Sequence, residues 1–188
     1  MTAAKENIDI NIEDLRFEEL FDLAEIQRMQ DSFAAALGLA SVITRPDGTP
    51  ITRPSRFSNL CAEIIRKTDA GMANCRAAER QIGRFSPDRP IVACPACGKL
   101  EAGISISVGG KHLAVWRIGQ VRAPETTDEQ LLEYGRRIGA DPEAYRTAMR
   151  DIPIMSPERL KEIAAAVSVT ANLLSQTAYM NLQKSRLL

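Results

Sequence analysis

The sequence has little histidine, little aromatic surface and no surplus of charge. A single His among 188 residues leaves almost no imidazole for acid–base catalysis, and neither a Ser/His/Asp nor a paired-carboxylate constellation stands out. Lys plus Arg and Asp plus Glu are equal at 24 each, so no net field gathers nucleic acid or an anionic membrane. No apolar run approaches the roughly 20 residues that span a bilayer. The amino terminus MTAAKENIDINIEDL also lacks the basic and apolar regions of a signal peptide. Internal repeats and low-complexity tracts are missing too. A chain of this length with 45% hydrophobic residues is expected to form one domain, in the cytoplasm.

What is present is dense cap and turn punctuation. Asp22 and Glu25 have capping-box spacing between Phe21 and Ile26, which predicts a helix from Leu23. Met29, Phe33 and Leu37 form its apolar stripe, and Gly38 is its left-handed stop. Residues 39–44, the turn Pro46-Asp47-Gly48 and a returning strand from Ile51 predict a hairpin. Residues 59–68 and 70–83 read as two helices, one carrying Cys61 and the other Cys75. A strand at 91–93 enters the turn CPAC, and a second hairpin spans 102–121 around Gly109-Gly110. Thr127 with Gln130, Asp141-Pro142 and Ser156-Pro157 open three more helices, the last one long.

A two-residue turn at Gly109-Gly110 places Ile106 opposite Leu113 and Ile104 opposite Val115, an aliphatic core face. The other face then carries Gly103, Ser105 and Ser107 against His112, Ala114 and Trp116, with Gln120 further along. Small residues beside one tryptophan leave room for a small, largely apolar ligand, walled by Trp116 and anchored by Ser105 or Gln120. The same pattern also suits a Trp116 that covers Gly103 against a packed helix, with no ligand. In the last helix Leu160, Val167 and Leu174 recur seven apart, with Ile163, Thr170 and Thr177 interleaved. Such a seam packs on its own domain or pairs two copies in a parallel homodimer.

The four cysteines follow C-x13-C-x18-C-x2-C. Two thiolates in a C-x2-C turn take adjacent corners of a tetrahedron, so Cys61, Cys75, Cys94 and Cys97 are candidate ligands for zinc, ahead of an iron–sulfur cluster. Two other uses remain open. Cys61 and Cys75 suit small buried apolar positions, and Cys94 with Cys97 suits a redox pair, although no helix follows to lower a thiol pKa.

The segment GISISVGGKHLAVWRIGQVR, preceded by CPACG and by NLCAEIIRKTDAGMANC, resembles the PocR-type sensory domain of bacterial signalling proteins. The likeness runs from about Phe17 to the last helix. It implies an α+β fold, a PAS-like antiparallel sheet flanked by helices, with an N-terminal helix and a long C-terminal helix. It implies sensing of small hydrocarbon-derived molecules without catalysis, and a covalently linked kinase, cyclase or DNA-binding output domain. Cysteines of that pattern match Cys61, Cys75 and Cys94, while Lys99 interrupts the family's Gly-Leu element between Gly98 and Leu100. The chain is expected to divide into a lead-in (1–16), a sensory domain (17–155) and a signalling or dimerisation helix (156–188). The competing expectation, from another class, is a thiol redox sensor or oxidoreductase using Cys94 and Cys97.

Overall fold

The caps and turns of the sequence become the boundaries of the elements. In a computed structural model, which describes residues 15–83, 91–93 and 97–185, one helical turn, α1 (Phe17–Leu20), precedes α2 (Leu23–Leu37). The Asp22 carboxylate accepts from the Ala24 and Glu25 N–H groups, and Gly38 ends α2 at φ 67°. Then follow β1 (Ala40–Thr44), α3 (Asp69–Gly83), β2 (Ile91–Ala93), β3 (Leu100–Val108) and β4 (Lys111–Val121). Thr127 and Gln130 cap α4 (Asp128–Arg137) reciprocally, Asp141 caps α5 (Pro142–Met149), and α6 (Pro157–Ser185) closes the order.

The strands form one antiparallel sheet in the order β1-β4-β3-β2, the expected α+β architecture with a long last helix. The strand expected from Ile51 makes only isolated bridges, Thr44 to Pro50 and Ser41 to Ser55. Gln30 of α2 explains this. Its buried amide donates to the carbonyls of Ser41 (3.3 Å) and Arg53 (2.8 Å) and accepts from the Ile43 N–H at 3.1 Å. A side chain thereby takes ladder positions that a strand partner would otherwise fill.

The second hairpin begins in the predicted register, with Val108 opposite Lys111 and Ser107 opposite His112. A bulge between Ile106 and Ser107 then leaves Leu113 as the extra residue, so that Ile106 faces Ala114 and Ile104 faces Trp116. The predicted pairs Ile106–Leu113 and Ile104–Val115 are therefore wrong by one residue, which exchanges the faces. Trp116 belongs to the aliphatic face. There it is fully buried with Ile104, Ile106 and Ile118, under Leu160, Ile163, Val167 and Ala171 of α6. Phe33 of α2 meets its ring edge-on, with centroids 5.3 Å apart.

Most of the predicted helix seam is thus spent inside the domain: Leu160, Ile163 and Val167 are buried, and Thr170 and Leu174 are half-buried. The opposite face of the sheet receives α3. A Cβ on Gly103 would lie 2.8 Å from Cγ2 of Ile82, so the space expected for a ligand beside Gly103 is filled by α3. A second apolar cluster, with Leu60, Ile65, Leu131, Tyr134 and Tyr145, joins α3, α4 and α5 to the segment before them. Among the described residues, no helix is long and apolar enough to cross a membrane.

Candidate functional site: a thiol-lined cavity at a strand bulge

A second irregularity in β4 builds the site. Leu100 pairs with Val121 but Glu101 pairs with Gly119, which leaves Gln120 as the bulged residue. Gln120 has φ 57° and Gly119 φ 138°. A positive φ at a non-glycine is uncommon, and bulges re-aim side chains. Here the buried Gln120 side chain turns to Ser58, its Oε1 accepting from the Ser58 N–H (3.0 Å) and hydroxyl (3.2 Å). Just after Ser58 the chain forms a π-helical turn, Leu60–Ile64, that passes directly into a 3-10 turn, Ile65–Lys67. The regular helix predicted over 59–68 is thus widened and then tightened, an irregularity common near functional sites. Cys61 lies buried in the wide turn.

Behind Gln120 is a cavity of about 20 Å³ whose lining includes Cys61, Cys75, Cys97, Lys99 and Tyr134. That volume suits one water-sized guest. Three of the four cysteines singled out by sequence therefore converge, and Cys94 lies outside the described residues. Lys99 is 2% exposed, and its ammonium donates to the Cys61 sulfur. Burial opposes its charge, but the neighbouring Cys97 and Cys61 more than compensate and hold its pKa above the ordinary lysine value. Tyr145, nearby, has its pKa raised chiefly by burial and then by Cys97, and its hydroxyl finds no partner among the described residues. Among the described residues, no group of three His, Cys, Asp or Glu side chains is arranged to hold a metal ion.

The outer wall is a charge network. Arg117 of β4, its side chain 5% exposed, meets Glu79 of α3 at 3.3 Å and Glu101 of β3. Glu79 also pairs with Arg66, whose guanidinium lies over the Phe57 ring. Two guanidiniums face two carboxylates, so the network is neutral as a whole and fastens α3 to the sheet.

Of the residues predicted to hold a ligand, Gln120 reaches this cavity and the other two lie elsewhere. Trp116 is in the apolar core, its indole N–H donating to the Ser41 hydroxyl at 2.8 Å. Ser105 shares hydrogen bonds with Ser107 (2.8 Å) and His112 (2.6 Å) toward the hairpin turn. Sequence reasoning passed over Glu79, Glu101 and Arg117, and treated Lys99 only as an interruption. One signal was available: Gly119, an isolated glycine within a strand pattern, marks a bulge.

Comparison with known proteins bears on this arrangement. The regulatory protein PocR of Salmonella typhimurium is 26% identical over 138 residues, which cover 72% of this chain and 45% of that protein. The chain thus spans under half the length of that relative. No solved structure matches. A family model described as the sensory domain found in PocR matches residues 19–179, from α1 through nearly all of α6, so the sheet, the bulge and the thiol cavity all fall within it. The chain belongs to the family of PocR sensory domains.

Proposed function

We propose that this domain is the input of a signalling protein. It reads a small hydrocarbon-derived molecule at the end of the sheet where Gln120, Lys99 and the cysteines meet, and α6 passes the result to an output domain. The observation that carries the reading is the convergence at the cavity: a strained bulge residue, a buried lysine and three thiols on one small space. With room for about one water, the cavity takes a larger guest only when the 60–67 turns give way. The relative's description as a regulatory protein, and the part of it that this chain does not span, support a separate output.

The same thiols are proposed to bind one zinc ion, with Cys94 as the fourth ligand. The C-x2-C spacing supports this, the three described thiols line one cavity but would have to draw together around the ion, and the Lys99 ammonium would offset the excess negative charge of four thiolates around a divalent ion. Zinc in such a closed site supplies folding free energy rather than catalysis. Elemental analysis of protein purified without chelator tests it. About one zinc per chain is expected, with Cys97→Ser losing both the metal and thermal stability. Metal-free protein whose thiols all react in the native state would remove zinc from the proposal.

Output through a homodimer is proposed on the outward side of α6. Val169, Leu173 and Met180 are 60%, 58% and 51% exposed, and no charged residue occurs from Ile163 to Gln183. A helix face that meets only water is ordinarily charged or polar.

A further inference from the structure

Beside the thiol cavity, sharing Arg66 and Glu79 with it, lies an open cleft of about 360 Å³ between α3 and the turn at 47–50. Its volume falls in the range of small-molecule sites. Three guanidiniums line it, from Arg66, Arg76 and Arg80, against two carboxylates, Asp47 and Glu79. Both carboxylates are committed. Glu79 is held by Arg66 and, from beneath, by Arg117, while Asp47 accepts the Thr49 N–H at 2.8 Å. Arg76 and Arg80 are exposed, stand about one turn apart on α3, and pair with no carboxylate among the described residues. The far bank is fixed in place: Gly48 has φ 93°, and a Cβ there would lie 2.9 Å from Cβ of Glu79, so the turn rests directly on α3.

We infer that this cleft binds a short-chain organic acid, with Arg76 and Arg80 holding its carboxylate and Met72 and Pro50 flanking its hydrocarbon chain. Guanidinium forks match carboxylates in shape as well as charge. The charge count selects a monoanion: three cations less two anions leave one positive charge, and a dianion would add repulsion from Glu79 and Asp47. A guest that also draws on Arg66 weakens the Arg66–Glu79 pair. Glu79 is shared with Arg117, so occupancy of the cleft reaches the wall of the thiol cavity. The inference deepens the sensory reading and rests on it for its biological use, whereas the binding itself does not depend on the cysteines.

Calorimetric titration of the full chain with butanoate tests it, with butanamide as the uncharged isostere and inorganic phosphate as the competing anion. Butanoate should bind saturably and butanamide should not. In an Arg76→Gln/Arg80→Gln double variant of unchanged melting temperature, affinity should fall roughly tenfold to a hundredfold, the scale of hydrogen bonds to a charged group. Three results would overturn the inference: no saturable butanoate binding, equal binding of butanamide, or an unaltered double variant. Phosphate binding more tightly than butanoate, with the same dependence on both arginines, would overturn the carboxylate assignment. Butanoate binding that survives in Cys97→Ser supports this cleft as separate from the thiols, even where the zinc proposal fails.

Discussion

On one face of the sheet, Ile104, Ile106, Ala114, Trp116 and Ile118 meet α2 and α6 without a charged group among them; on the other, Gly103 and Arg117 meet α3 across Glu79 and Glu101. The same two strands supply both faces. The first is held by area and shape, which lose free energy steeply when any large side chain is cut back. The second is held by paired charges that had to be taken out of water, so its net contribution is small while the loss from breaking a pair is large. Thiols, the buried lysine, the bulge and the arginine cleft all gather toward the second side. A fold that senses through one side and stays intact on the other is well served by this division.

The largest expected effect lies on the apolar face. Trp116→Ala removes a wholly buried indole and its bond to Ser41, and should cost about 3–5 kcal/mol in denaturant unfolding. A cost below about 1 kcal/mol would mean that this face is loosely packed, and the contrast would fail.

Arg117→Met comes next. It strands the partly buried Glu101 and leaves Glu79 with Arg66 alone, at about 3 kcal/mol. Adding Glu101→Gln to that variant should recover a good part of the loss, because the destabilisation comes from the charge left unpaired, while Glu79 keeps Arg66. No recovery would show that Arg117 acts through packing.

A smaller and more selective effect is expected from alkali. Lys99 and Tyr145 have ordinary pKa values of 10.5 and 10.0, and both are raised in the folded chain. A raised pKa means that the folded state holds its proton more tightly. The stability so gained is complete below the unfolded pKa and is lost as pH climbs through the folded one. Stability should therefore decline above about pH 10, and Tyr145→Phe should flatten part of that decline. Unfolding curves for both proteins between pH 8 and pH 11 check this, and identical slopes would remove Tyr145 from the cause.

The smallest effect separates the two sides of α6. Leu173→Glu, at a position 58% exposed, should change monomer stability by no more than about 0.5 kcal/mol. Light scattering across a dilution series should nevertheless show it shifting a dimer toward monomer. If wild type is monomeric at every concentration, the outward face has another use.

Much of the frame was legible because caps and turns are local. Asp22, Gly38, Thr127, Asp141 and the Gly109-Gly110 turn each act within a few residues, and each lies where the sequence predicted. The candidate site was legible only in part. A shared site for Cys61, Cys75 and Cys97 was one of three uses the sequence left open, and the two bulges were not foreseen, because β4 is buried along almost its whole length and displays no alternation in which an inserted residue would show. That omission moved Trp116 to the wrong face. The seam of α6 was read correctly as apolar, yet periodicity does not reveal what a seam packs against.

Amide hydrogen exchange on the native chain tests the central division between the two faces most directly. Regions that admit ligands are drawn from the parts of a fold that open at lowest cost. The π and 3-10 turns at 60–67, together with α3, should exchange through local opening well below the global unfolding free energy. Protection in β3, β4 and the buried length of α6 should approach the global value. Equal protection on both sides of the sheet, or faster exchange in α6 than in the 60–67 turns, would contradict it.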